Sequence, residues 1–327
     1  MWSRLSLFRS PLVSSFIKSS SSSRSCLPRF IAQQHHRSMS SSTAQPGQIN
    51  FPVTPVEGNS QPLGEGKYIK TAGCLIIGDE VLNGKTRDSN SNFFAKQCFD
   101  LGIELKKIEV IADDEEEIVE AARRMTEKYD FVVCSGGIGP THDDITYPSM
   151  AKAFNLPLEL NQETVKRMHA GMVARGMDPN AQDAEQRTAR ERMAQLPTGK
   201  GAECIFVAED KWVPVVRLGG KLCIFPGIPS LFENLLLSLT PYLPLPPDSA
   251  KPFRLLVFTN MPESSLAPYL TELHQRERKN GIRVGSYPML YKGVHVSLIG
   301  LDEARIREIG EEVAKKLDGK VVESQKK

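Results

Sequence analysis

The stretch Ser135–Thr146 reads SGGIGPTHDDIT and gathers glycines, hydroxyls and acids in a way that could do chemistry. Gly136, Gly137 and Gly139 carry no Cβ, so the backbone there can take positive φ and bring amide N–H groups close to an anion. Thr141, His142, Asp143, Asp144 and Thr146 follow directly. Two adjacent carboxylates beside an anion cradle suit a divalent metal ion, or the activation of water, next to a phosphate. The glycines alone fit an ordinary tight connection equally well. A second acidic pair, Asp79-Glu80, follows another strand-like run and tips the reading toward a functional site.

These residues need elements to hold them. Phe131-Val132-Val133-Cys134 is a short β-branched apolar run, suited to a buried parallel strand. A strand entering the glycine loop places it at the carboxyl edge of a sheet, where open α/β folds bind ligands. The run TAGCLII at 71–77 predicts a strand ending at Gly78-Asp79-Glu80, then a turn at Asn83-Gly84. A helix is predicted over 90–101, with Phe94, Cys98 and Leu101 on one face and Gly102 closing it. Residues 108–111 read as a strand ending at Asp113-Asp114, and 114–128 as a helix with acids in its first turn and Ile118, Ala121, Ala122 and Met125 inward. This alternation predicts a mostly parallel sheet covered by helices.

Further helices are expected over 148–154, 162–175 and 181–193, where Met168, Met172 and Met177 read as packing residues and His169 as a helix-surface residue. Strands follow at 202–207, 213–217 and 222–225; the last runs into Pro226-Gly227-Ile228-Pro229 and a helix over 229–239. The proline-rich run 242–252 marks a domain boundary. Beyond it the pattern is β–α–β–β–α–β, a small two-layer sandwich of ferredoxin-like or KH-like type. It has no GxxG loop between helices, so a KH-style nucleic-acid grip is not supported.

Composition bounds the rest. The 327 residues are enough for two domains, and 40% apolar with 24% charged content suits globular cores. A net charge of +2 gives no nucleic-acid footprint, and no apolar run approaches a membrane span. The six cysteines are scattered without a CxxC pair; Cys74 and Cys134 fall inside predicted strands and read as small buried residues of a reducing compartment. Residues 1–66 differ from the rest. The first acid is Glu57, and Arg4, Arg9, Lys18, Arg24, Arg29 and Arg37 are spread among serines, the signature of a mitochondrial transit peptide. A second start at Met39 would give a cytosolic form. Residues 45–66 read as a Pro/Gly-rich linker. The expected division is 1–66 transit peptide and disordered linker, 67–241 main domain, and 252–324 small sandwich.

Gly78-Asp79-Glu80, the Asp88-Ser89-Asn90-Ser91 helix start, SGGIGPTHDDIT and Pro226-Gly227-Ile228-Pro229 occur in that order. Together they resemble the MoaB/Mog molybdopterin-binding fold, a three-layer α/β/α domain. The similarity is greatest to the subgroup in CinA-type proteins and the N-terminal half of eukaryotic FAD synthases, whose loop reads GGIGPTxDDxT. The resemblance covers roughly 70–323, because the small sandwich also looks like the domain that follows in CinA. It implies a site position by position. Gly136, Gly137 and Gly139, with Ser135 and Thr141, would cradle a phosphate or pyrophosphate. Asp144 and Asp113 would be the functional aspartates, with Gly78, Asp79, Glu80 and Asn90 on the substrate and Pro226 and Gly227 shaping the opposite wall.

One position departs from the pterin-binding pattern: Asp143 stands where those proteins carry arginine. The extra carboxylate favours a divalent ion (cobalt, manganese or magnesium) held by Asp143 and Asp144. The expected activity is metal-dependent cleavage of the pyrophosphate of FAD or ADP-ribose, with Asp113 orienting water and His142 a weaker candidate acid or base. Adenylyl transfer to molybdopterin and a non-catalytic nucleotide-binding role are the alternatives. A homo-oligomer is expected by analogy. With the chain ending at Lys327, neither an amidohydrolase nor an adenylyltransferase activity is expected.

Overall fold

Strand β1 (Thr71–Ile77) is buried along all but its first residue, because TAGCLII is apolar on both faces and sits in the middle of a covered sheet. The computed structural model describes residues 49–323 apart from Asn59; the residues expected to form a transit peptide, Met39 and Cys26 lie outside them. After β1 come a short helix α1 (Asp79–Leu82), helix α2 (Asn90–Leu101), strand β2 (Glu104–Ile111), helix α3 (Glu115–Lys128) and strand β3 (Phe131–Ser135). β2 is longer than its apolar end suggested. Its first residues, Glu104 to Lys107, are mostly exposed and charged, as an edge strand requires, and that hides them from a search for apolar runs.

The chain continues through α4 (Thr146–Phe154), β4 (Leu158–Leu160), α5 (Gln162–Ala174), α6 (Ala184–Arg192), β5 (Gln195–Pro197), β6 (Ala202–Ile205), β7 (Val215–Leu218), β8 (Leu222–Phe225) and α7 (Pro229–Leu239). The six-stranded sheet has the order β2-β1-β3-β8-β7-β6. The first four strands are parallel and the last two pairings are antiparallel. In register, Ile76 lies opposite Ser135 and Ser135 opposite Phe225, so the loops after β1, β3 and β8 leave the sheet at one edge. α2 returns the chain outward from β1 to β2 and α3 returns it across β1 to β3. Right-handed crossovers therefore put these helices on opposite faces, giving the three-layer α/β/α domain. α7 packs with α2 and α4 with α3. β4 and β5 form a separate two-stranded ladder, Leu158 opposite Pro197, too short to leave a period-2 signal in the sequence.

The small domain comprises β9 (Phe253–Thr259), α8 (Glu263–Arg278), β10 (Arg283–Met289), β11 (Gly293–Gly300), α9 (Glu303–Lys316) and β12 (Lys320–Glu323). Its strand order, β10-β11-β9-β12, is antiparallel throughout, which is the ferredoxin-like arrangement and not the KH-like one. Leu266 and Leu273 of α8 and Ile306, Ile309 and Val313 of α9 close one face over Leu255, Val257, Val296 and Leu298.

The linker expectation needs correction over residues 51–54. Phe51 N–H donates to Glu209 O (2.7 Å), Thr54 N–H to Phe206 O (2.8 Å), and Phe206 N–H to Thr54 Oγ1 (3.0 Å). The buried Arg167 of α5 donates to Pro52 O at 2.7 Å, its guanidinium stacked 3.7 Å from the Phe206 ring centroid and 5.1 Å from that of Phe51. The strap is docked because a buried cation needs acceptors and aromatic faces, and these residues supply both.

Candidate active site

The glycine loop is a conformational necessity at two positions. Gly136 has φ +114°, and a Cβ there would lie 2.0 Å from Ile77 O. Gly137 has φ +63°, and a Cβ would lie 2.4 Å from Thr146 Oγ1 and 3.3 Å from Asp113 Oδ1. Gly136 N–H donates to Phe225 O at 3.2 Å, which ties the loop to β8. Thr146 then fixes the far side: its Oγ1 donates to Gly136 O (2.8 Å) and its N–H to Gly137 O (3.0 Å). The amides of Gly137, Ile138 and Gly139 find no acceptor among the described residues. Successive free N–H groups following the positive-φ turn at Gly136 and Gly137 suit an anion-binding concavity.

Asp113 stands beside this cradle at the end of β2. Its Oδ2 accepts from Asp79 N–H at 2.9 Å, and Gly78 N–H donates to Ile111 O at 3.1 Å, so the ends of β1 and β2 are locked together. Burial pushes the Asp113 carboxyl above its ordinary range, and the charges of Asp79, Glu80 and Asp143 add to that, against the opposing Asp79 amide. Asp113 thus stands within electrostatic reach of three other carboxylates, Asp79, Glu80 and Asp143.

The structure separates the two adjacent aspartates. Asp143 is exposed and is the one Asp113 feels. Asp144 folds back on its own loop: Oδ2 accepts from Thr141 N–H at 2.8 Å and from Thr141 Oγ1, and lies 2.6 Å from where a Cβ on Gly139 would stand. Asp144 shapes the loop, while the exposed Asp143 is held below the ordinary carboxylate range by a Thr141 hydrogen bond, with the neighbouring His142 adding to it. Among the described residues, no three His, Cys, Asp or Glu side chains converge as a ready metal site. The donor set still fits a hard cation that brings its remaining ligands with a phosphate-bearing substrate, because such ions need only one or two protein carboxylates.

The opposite wall is clamped by Asn90, at the start of α2. Its Nδ2 donates to Ser135 Oγ and to Gly227 O, both at 2.9 Å, and Ser135 Oγ donates to Pro226 O at 3.1 Å. Asn90 Oδ1 is buried without a partner. Asn90 also lines a cavity of about 50 Å3 shared with Glu80, Asp88, Ser135 and Gly227. Two contributors escaped the sequence reading. Thr146 was seen only as part of the polar cluster. Arg192 of α6 was not singled out, yet its Nη1 donates to Pro140 O (3.2 Å) and Thr141 O (2.6 Å), placing a cation beside the loop. No sequence spacing signals that contact, because it joins residues far apart in the chain. The cysteines take no part. Among the described residues Cys74, Cys98, Cys134, Cys204 and Cys223 are free thiols, and burial pushes them up, Cys98 to about 12.

An open α/β sheet with a glycine loop and acidic residues at its strand carboxyl ends has the architecture in which such folds bind ligands. The chain belongs to the family of the probable molybdopterin binding domain, whose model matches residues 73–244, and a model described as the FAD synthase middle domain matches residues 252–326. It is 33% identical over 234 residues to a probable FAD synthase from Caenorhabditis elegans, covering 68% of this chain and 44% of that one. A protein from Pyrococcus abyssi is 34% identical over 73% of this chain and 93% of its own length. A CinA-like protein from Myxococcus xanthus is 32% identical over 59% of this chain and 45% of its own. Among solved structures, a CinA protein from Thermoplasma acidophilum is 29% identical, covering 53% of this chain and 96% of that one, with a TM-score of 0.45. The chain spans less than half the length of the Caenorhabditis relative.

Proposed function

We propose that this protein works in FAD-related nucleotide metabolism, as a hydrolase of the pyrophosphate of FAD or of ADP-ribose. The reading rests on one observation: the Asp113 carboxylate, fixed by the Asp79 amide, lies beside Gly137 of the loop whose amides are free, within reach of the charges of Asp79, Glu80 and Asp143. The amides of Gly137, Ile138 and Gly139 take the non-bridging oxygens of one phosphate, and Arg192 sits at the edge of the same loop. Asp113 orients a water and accepts its proton. The P–O–P bridge breaks, a P–O bond to water forms, and FAD yields FMN and AMP, or ADP-ribose yields AMP and ribose 5-phosphate. A divalent ion of the cobalt, manganese or magnesium kind, held by Asp143 with its neighbouring acids, would supply charge neutralisation on the phosphate oxygens. The names of the relatives and the FAD synthase middle-domain match support the flavin side of this proposal.

The test is to incubate the full chain with FAD and with ADP-ribose, adding each of the three metals in turn, and to separate the products. Cleavage of at least one substrate is expected. Asp113→Asn should lower kcat by about 100-fold or more, in line with loss of a general base, while the melting temperature holds or rises. Intact substrate with every metal overturns the proposal. The family description supports a second reading, adenylyl transfer to molybdopterin; pterin fluorescence copurifying with the chain would favour it. The arginine-bearing, acid-free start supports a mitochondrial address, and loss of import on replacing Arg4, Arg9 and Arg24 by glutamine would test it.

A further inference from the structure

Next to the loop lies a cavity of about 640 Å3 that the phosphate chemistry does not use. It begins at Pro140, one residue past Gly139, and is walled by Met168, Met172, Met193 and Trp212. Met168 and Met172 are buried as packing residues should be, but Met177 at the rim is 44% exposed. Their shared surface is a pocket and not a closed core. Helix α6 joins the two regions: Arg192 holds the loop, while Gln186, Ala189 and Arg190 line the cavity.

Arg190 sets the polarity of this pocket. It is buried, and its guanidinium meets Gln182 Oε1, Met172 Sδ (3.0 Å), Pro179 O (3.4 Å) and His169 Nε2 (3.1 Å), none of them a carboxylate. Its Nε is buried without a partner. A buried cation on the cavity wall with no carboxylate partner calls for an acceptor-rich group. Thioether and indole walls call for a flat ring. We infer that this pocket takes the fused isoalloxazine ring of a flavin, its dimethylbenzene end among the methionines and Trp212, and its carbonyl-bearing edge toward Arg190 and the Gln182 and Gln186 amides. The inference rests on the pyrophosphate reading of the glycine loop, since a flavin dinucleotide places its ring one linker away from its phosphates.

Binding is tested apart from turnover. The full chain is titrated with riboflavin, which has no phosphate, and separately with AMP, following flavin fluorescence or equilibrium dialysis. Riboflavin should bind, and Ala189→Trp, which fills the pocket from a half-exposed helix position, should weaken it at least tenfold while AMP moves less than twofold. Should Ala189→Trp fail to fold, Gln186→Ala at an exposed position serves, with a several-fold loss expected. No riboflavin binding, or binding indifferent to these variants, overturns the assignment. So does an equal loss of AMP, which would put the nucleobase here, or a changed oligomeric state of Ala189→Trp, which would make the cavity a subunit interface. Riboflavin binding without FAD cleavage sinks the hydrolase alone; FAD cleavage without riboflavin binding sinks the flavin pocket alone.

Discussion

Asp113 is a residue whose surroundings oppose its charge. Burial and the charges of Asp79, Glu80 and Asp143 all favour its protonated form, so its ionised state is destabilising in the fold. The sign for stability follows from a raised carboxyl. Its favourable contribution is fullest below the ordinary aspartate range and is lost as pH rises through the raised value. The sign for rate is the reverse. A base must be ionised, so activity should fall on the acid side at a pH above that of an ordinary aspartate. Glu80→Gln removes one opposing charge and should move that acid limb of kcat/KM to lower pH; a limb that stays in place removes Asp113 from the role. The sequence marked Asp113 and Asp143 by type and position. It could not show that Asp144 turns away, because adjacent residues in a loop have no fixed period to say which side chain faces the site.

At the scale of elements, the neighbouring Asp114 does a different task. Its carboxylate accepts from Glu116 N–H (2.9 Å) and Glu117 N–H (3.0 Å) and so caps α3. Asp114→Ala should cost about 1 kcal/mol of stability, the usual value of an N-cap, with kcat changed less than twofold. Asp113→Asn should show the opposite pattern. If Asp114→Ala abolished hydrolysis at unchanged stability, the two aspartates would have been assigned the wrong way round. The start of α3 was legible because caps and first-turn acids are local. So were β1, β3 and β8, whose buried runs are apolar apart from Ser135 at the end of β3. The first half of β2 was hidden by Glu104, Lys106 and Lys107, and the β4–β5 ladder by its length. The parallel order of the strands had to come from alternation and handedness, and the antiparallel β6 and β7 at the far side carried no signal of direction at all.

For the molecule as a whole, the strap over residues 51–54 links stability to the proposed flavin pocket. Arg167 lies one residue before Met168 on α5, and the strap supplies its Pro52 carbonyl and Phe51 ring. Tyr242 Oη also donates to Thr54 O at 2.5 Å, which binds the same segment to the end of the main domain. Composition gave this segment as linker because Pro and Gly dominate it; the partners that hold it, Arg167, Phe206 and Tyr242, come from three distant places in the chain. A chain beginning at Tyr68 loses the strap's hydrogen bonds to Phe206, Glu209, Arg167 and Tyr242, and leaves Arg167 with Glu163 as its remaining hydrogen-bond partner among the described residues. At about 1 kcal/mol net for each hydrogen bond, the loss should reach about 3 kcal/mol or more. For a domain of this size that lowers the melting temperature by roughly 5–10 °C. A chain beginning at Asn50 keeps the strap and should melt at a higher temperature than the Tyr68 chain. Because α5 carries Met168 and Met172, the shorter chain should also bind riboflavin more weakly than the full one, even well below its melting point. Equal melting temperatures for the Tyr68 and Asn50 starts would show that the strap is an ornament on a domain complete without it.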